Sequence, residues 1–181
     1  MGAYAALLRG INVSGHNMIK MADLKLVLAD LGFQQLSTYL QSGNLVFEAE
    51  LTSCIEMEKI IATAISTAFG LEIKVKVIPK DRFQQGFLNN PFTKNRENDT
   101  KQLYYIHLMG LADVATFKQL QNDDHFPEQM SLLGEVIYVH YVNGYGRSKL
   151  HAGILEKKLK VSATARNHNT MKHLSQMLDS L

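Results

Sequence analysis

Tyr4-Ala5-Ala6-Leu7-Leu8-Arg9-Gly10-Ile11-Asn12-Val13-Ser14-Gly15-His16-Asn17 is an apolar run that opens into a loop without a single carboxylate. The run is too short for a helix and lies between Gly2 and Gly10, which predicts a buried strand over 4–8. From Met21 the period changes. Met21, Leu24, Val27, Leu28 and Leu31 fall on one helical stripe, and Gly32 closes it. Alternation returns at Leu36, Thr38 and Leu40, breaks at Gln41-Ser42-Gly43-Asn44 and resumes over 45–47. Ser-Gly and Gly-Asn predict a tight hairpin turn, because glycine takes the positive φ such turns demand.

Downstream, Ser53 and Glu56 have capping-box spacing. Cys54, Met57, Ile61, Ala64, Ile65 and Ala68 form a helical stripe ending at Gly70. Residues 71–78 alternate as a strand that Pro79 stops. Residues 1–79 therefore read as one ferredoxin-like half: strand, helix, strand, strand, helix, strand, the split β-α-β order. Residues 80–101 read as a connector with a short helix over 81–88 and a turn at Asn89-Asn90-Pro91.

Residues 102–181 repeat the order. Strands are expected over 103–109, 130–133, 136–142 and 161–165, and helices over 113–121, with Val114, Phe117 and Leu120 inward, and 149–158. A further helix over 170–178 ends the chain. No residue-by-residue repeat accompanies the pattern. The expected fold class is α+β: two ferredoxin-like halves with antiparallel sheets and an extra C-terminal helix.

This layout brings separate motifs together. A right-handed crossover makes the first two strands parallel, with the third between or outside them. The loop over 9–17 and the turn over 41–44 then face solvent at one sheet edge. In the second half the third and fourth strands share a direction, so 143–149 and 166–170 also leave from one edge. Both segments precede helices, whose first N–H groups suit anions, and Gly144 and Gly146 let the backbone approach closely.

Composition sets the bounds. A chain with 46% hydrophobic and 20% charged residues is an ordinary globular protein with a sizeable core. One cysteine, Cys54, excludes an internal disulfide and any zinc-knuckle spacing. The short N-terminal apolar stretch is neither signal peptide nor membrane span, and a cytoplasmic location away from membranes is expected. A net charge of +2 does not by itself mark a nucleic-acid binder. Between 136 and 178, however, Arg147, Lys149, Lys157, Lys158, Lys160, Arg166 and Lys172 face only Glu156, an asymmetry that points to phosphate-bearing partners. Lys157, Lys158 and Lys160 read rather as the solvated face of a helix near its C-terminus.

Other motifs carry less. Gly144-Tyr145-Gly146 lacks the third glycine of a dinucleotide fingerprint, and no Walker spacing exists. Ser148 and Asn169 read as helix N-caps. The seven histidines, His16, His107, His125, His140, His151, His168 and His173, include no i, i+4 pair, so no metal and no cofactor is expected. His107 and His140 share strand faces with Tyr105 and Tyr138, an arrangement that stacks bases in RNA-recognition sheets, although burial of these residues is the reading preferred here.

RGINVSGHN, M-x-x-L, LGF, YLQSGNLVF, NPF, NGYGRSKL and ATARNHNT, in that order, resemble the bacterial domain of unknown function family 1697. The resemblance runs nearly the full length and implies two ferredoxin-like halves with no assigned activity. It carries over onto Arg9, Gly10, Asn12, Gly15, Asn17, Gln41, Ser42, Gly43, Asn44, Gly146, Ser148, Lys149, Thr164, Arg166, Asn167, Asn169 and Thr170. Lys20 and His168 depart from it, where proline and tryptophan are usual.

Three readings of function follow. The first is a module for a phosphate-bearing ligand, nucleic acid or nucleotide-like. Arg9, Arg147, Lys149 and Arg166 would pair with phosphate, and Asn12, Asn17, Asn44, Asn167 and Asn169, with Gln41, Ser42 and Ser148, would supply directional hydrogen bonds. The second is a metal-independent enzyme in which Ser42 or His16 moves a proton and Arg9 holds a small anionic substrate. The third is an interaction module whose loops are purely structural.

Overall fold

The computed structural model of the protein describes residues 1–50, 53–95, 98–123 and 127–181. His125, one of the histidines considered as a metal ligand, lies outside them. The chain divides into two compact units, Met1–Gln85 with His173–Leu181, and Gly86–Lys172. In chain order the elements are β1 (Gly2–Leu8), α1 (Met21–Ala29), β2 (Gln34–Tyr39), β3 (Asn44–Ala49), α2 (Cys54–Phe69), β4 (Val75–Pro79), α3 (Lys80–Leu88), β5 (Leu103–Leu108), α4 (Val114–Gln121), β6 (Gln129–Leu133), β7 (Val136–His140), α5 (Ala152–Leu159), β8 (Ala163–Asn167) and α6 (His168–Asp179). The strands form two four-stranded antiparallel sheets, ordered β2-β3-β1-β4 and β6-β7-β5-β8. This is the ferredoxin-like order twice over, with β3 and β7 lying inside their sheets.

In the first unit, β1 turns Tyr4, Ala6 and Leu8 toward the same core as Leu45, Phe47, Val75 and Val77. α1 adds Met21, Leu24 and Leu28, and α2 adds Met57, Ile61 and Ile65. Each fully buried leucine or isoleucine here contributes about 1.5–3 kcal/mol relative to exposure. The second core gathers Ile106, Leu108, Ile137 and Val139 with Phe117 and Leu120 of α4 and Leu155 and Leu159 of α5.

The two sheets repeat each other in hydrogen bonding as well as in order. Leu8 N donates to Gly43 O and Leu108 N to Glu135 O; Arg9 N donates to Lys74 O and Met109 N to Ser162 O. Leu8-Arg9-Gly10 and Leu108-Met109-Gly110 thus hold matching rungs, a residue-level correspondence too short to emerge from the sequence.

Several boundaries move. β4 begins at Val75, not at Leu71, because its partner β1 ends at Leu8, which pairs with Val75. Ser53 N-caps α2 without a side-chain cap bond, so the capping box does not form. Val114 is exposed at the start of α4, where Asp113 is the cap and accepts from Thr116 N and Oγ1. These two bonds hold the Asp113 carboxyl below its ordinary pKa. α5 starts at Ala152 rather than Lys149, because Tyr145–Arg147 forms a 3-10 turn and Ser148 Oγ then accepts from Leu150 N at 2.9 Å, which keeps this stretch out of the helix. No helix of the described residues is long and apolar enough to cross a membrane.

Candidate functional site

In the first unit, β1 and β2 end beside each other: Leu7 and Tyr39 both pair with Asn44. The loop and the turn that follow these strands form one rim. The loop is itself a miniature hairpin. His16 N donates to Val13 O at 2.9 Å and Asn12 N to Asn17 O at 3.1 Å. Ser14 (φ 49°) and Gly15 (φ 79°) take the two left-handed positions between them, the geometry of a type I′ turn. Ile11 and Ile19 are buried and anchor the loop at both ends.

Asn12 clasps the loop to the turn. Its Nδ2 donates to Ile19 O at 2.9 Å and to Gln41 O at 2.8 Å, and its Oδ1 accepts from Ile19 N at 2.8 Å. Asn17 Nδ2 donates to Gly10 O at 2.9 Å. Asn44, fully buried, donates to Tyr39 O at 2.7 Å and to Ser42 Oγ at 3.1 Å. The three asparagine side-chain amides expected to face a ligand therefore donate to the protein's own oxygens. The connection between β2 and β3 is also longer than the expected two-residue turn: Leu40-Gln41-Ser42-Gly43 separates the paired Tyr39 and Asn44, with positive φ at Leu40 and Gly43. What this rim presents is Gln41 and Ser42, a half-buried Arg9, His16, and exposed Val13, Met18 and Leu40.

The second unit builds its rim at the other end of the repeated sheet. β7 and β8 run in the same direction and end beside the start of β5, where Leu103 pairs with His140 and Tyr104 with Asn167. After β7 the backbone closes tightly. Gly144 N donates to Tyr141 O at 2.7 Å, Arg147 N to Gly144 O at 3.2 Å and Ser148 N to Tyr145 O at 3.2 Å. Tyr145 stacks on Tyr104 with ring centroids 4.6 Å apart, and Tyr141 meets both rings edge-on. On this fixed span Arg147 and Lys149 are exposed, and among the described residues neither makes an ion pair.

The remaining site residues lie differently. Arg166 is buried rather than displayed: Nη1 donates to Thr164 Oγ1 and to Ala165 O, both at 2.8 Å, and burial lowers its pKa to about 10. It stays charged at neutral pH. Asn167 is the cap of α6, accepting from Thr170 N at 2.8 Å, the role expected of Asn169, which is exposed instead. Ser148 bonds Leu150 and caps no helix.

The aromatic face considered for base stacking is covered. Tyr105, Tyr138, His107 and His140 are all buried. Tyr138 donates to Gly86 O at 2.8 Å, the Tyr105 hydroxyl meets His168 Nδ1 at 3.0 Å, and His107 Nε2 lies 3.4 Å from Met171 Sδ. Burial lowers the pKa of His140, and burial with the nearby Lys172 charge lowers that of His168. Among the described residues no group of three His, Cys, Asp or Glu side chains is placed to hold a metal ion.

Sequence reasoning missed the three-tyrosine cluster and the buried pair Glu128 and Tyr141. Glu128 Oε2 and the Tyr141 hydroxyl are both buried without a hydrogen-bond partner among the described residues. The pair sits one step beyond the Gln129–His140 rung, so only the β6–β7 register brings the two residues opposite each other. Tyr104 had a signal, since it alternates in phase with Ile106 and Leu108.

Comparison with known proteins adds the following. No curated protein matches the chain. Among solved structures, the conserved bacterial protein SP0830 from Streptococcus pneumoniae is similar at a TM-score of 0.74 and 23% identity, covering 98% of each chain. At that identity the likeness speaks for the fold, and it spans both units. The family model described as "Protein of unknown function (DUF1697)" matches residues 1–138, so the sequence match ends before the second rim, short of the nearly full length expected. On that match, the chain belongs to the DUF1697 family of proteins of unknown function.

Proposed function

We propose that the protein is a binding module for a phosphate-bearing ligand, nucleic acid or nucleotide-like, and that the second unit supplies the phosphate contacts through Arg147 and Lys149. The observation that carries this reading is the state of those two cations: both exposed, with no carboxylate paired to either among the described residues, on a backbone pinned by consecutive turn hydrogen bonds. Unpaired cations on a rigid span meet an anion without first breaking an internal ion pair or ordering a loop. Gly146, immediately before Arg147, is exposed and adds no side chain to the approach.

The first rim has a different part in this reading. With Asn12, Asn17 and Asn44 engaged internally, its main work is to hold loop and turn in register. The test is fluorescence anisotropy with a labelled single-stranded RNA, alongside thermal shift with inorganic phosphate and ATP. Binding should weaken steeply with salt, and Arg147→Ala with Lys149→Ala should flatten the salt slope by about two contacts. Absence of binding to all three probes, or binding indifferent to salt and to both substitutions, overturns the reading.

A further inference from the structure

An antiparallel sheet with two free edges offers rows of unpaired N–H and C=O groups to any extended chain, a second copy of the protein above all. Here the outer edges are β2 and β4 in one sheet and β6 and β8 in the other. Rungs of an antiparallel ladder alternate between bonded pairs and pairs whose backbone groups point away from each other. Pro79, with no N–H to give, pairs with Tyr4, so Tyr4–Pro79, Ala6–Val77 and Leu8–Val75 are the non-bonded rungs. The bond from Arg9 N to Lys74 O sits on the alternate rungs and agrees. The Val77 N–H therefore points outward, and Glu58 of α2 closes it, Oε1 accepting at 2.9 Å.

The second sheet repeats the device. Met109 N donates to Ser162 O, which makes Leu108–Ala163 a non-bonded rung and turns the Ala163 N–H outward. Glu156 of α5 takes it at 2.6 Å. Both glutamates stand on the helix that immediately precedes the edge strand, and the amides they take lie two residues apart in the repeat, on successive outward-facing rungs. The other edges carry devices of their own. β2 is bulged around Gln35, which has φ 50°, and Gln121 of α4 donates to Met130 O on β6 at 2.6 Å.

We infer that Glu58 and Glu156 are edge guards, whose carboxylates occupy the outward amides of β4 and β8 and so keep these strands from pairing with a second copy of the chain. A carboxylate suits this role because it satisfies the outward amide with a charged acceptor, which an incoming strand would have to displace.

The test uses the full chain, comparing wild type with Glu58→Ala, Glu156→Ala, the double alanine variant and the two glutamine variants, by amide hydrogen exchange and by light scattering over a range of concentrations. Each alanine change should raise exchange at its own amide, Val77 or Ala163, by about tenfold or more while leaving the bonded rungs protected. The double alanine variant should gain mass with concentration while wild type does not. Glutamine keeps an acceptor oxygen, so those variants should fold, stay protected and stay monomeric. Unchanged exchange in the alanine variants, a double variant that gains no mass, self-association of the glutamine variants to the same extent, or wild type already associating through β4 or β8 would each overturn the inference.

Discussion

Asn12 Nδ2 donates to the backbone oxygen of Gln41 at 2.8 Å, across 29 residues of sequence. The same side chain closes its own loop onto Ile19 through a donor and an acceptor. One amide thus fixes the loop after β1, the turn after β2 and the distance between them. Replacing it with alanine leaves the Gln41 and Ile19 carbonyls and the Ile19 N–H without that partner. Asn12→Ala should cost about 1–3 kcal/mol in urea unfolding and speed amide exchange at Ile19.

Gly43 is held in place by space as well as by its φ of 77°. A Cβ there would lie 2.7 Å from both Leu8 Cβ and Ile11 Cδ1, whereas at Gly134, with φ 59°, it would meet nothing within 4 Å. Gly134→Ala should show the backbone penalty alone, about 1 kcal/mol, and Gly43→Ala should lose clearly more, about 2–4 kcal/mol. Equal losses in chemical denaturation would mean that the close approach relaxes at little cost.

Two buried tyrosine hydroxyls in the second unit should respond oppositely to removal. Tyr138 donates to Gly86 O, so Tyr138→Phe should cost about 1 kcal/mol. The Tyr141 hydroxyl has no hydrogen-bond partner among the described residues, and burial raises its pKa so that it stays protonated. Tyr141→Phe should be neutral or mildly stabilising. Thermal unfolding of the two variants side by side checks both signs.

His140 and His168 are held below the ordinary histidine pKa in the folded chain, mainly by burial. The unfolded chain therefore binds protons more readily than the folded one. Stability is fully present above the unfolded value of about 6.5 and is lost as pH falls below it. Urea midpoints should decline from neutral pH toward mildly acidic pH. His168→Phe, which keeps an aromatic ring beside Phe87, should make that decline shallower. An unchanged slope would show that His168 takes up its proton without disturbing its neighbours.

Much of this protein was legible in its residues. The shift from period two to period three and a half at Met21, and the turn residues at Gly43, Gly70 and Gly134, are local signals that fix the order of elements. Chain direction then fixes which strand ends share a rim. The residue set running from RGINVSGHN onward marked the family. What each polar group does was not legible, because a donor's partner depends on register and on neighbours far along the chain. Asn12, Asn17 and Asn44 read as ligand contacts, yet their amides donate to the protein's own oxygens; Arg166 read as a phosphate contact and is buried, donating to Thr164 and Ala165. Arg147 and Lys149 lie outside α5 because the 3-10 turn at Tyr145–Arg147 and the bond from Leu150 N to Ser148 Oγ keep that span out of the helix. Sequence alone determined where the polar loops lie, since that follows from local periodicity and strand direction; only the tertiary structure decided which of their groups remain for a partner, since hydrogen bonds are apportioned by distances that exist only after the sheets have formed.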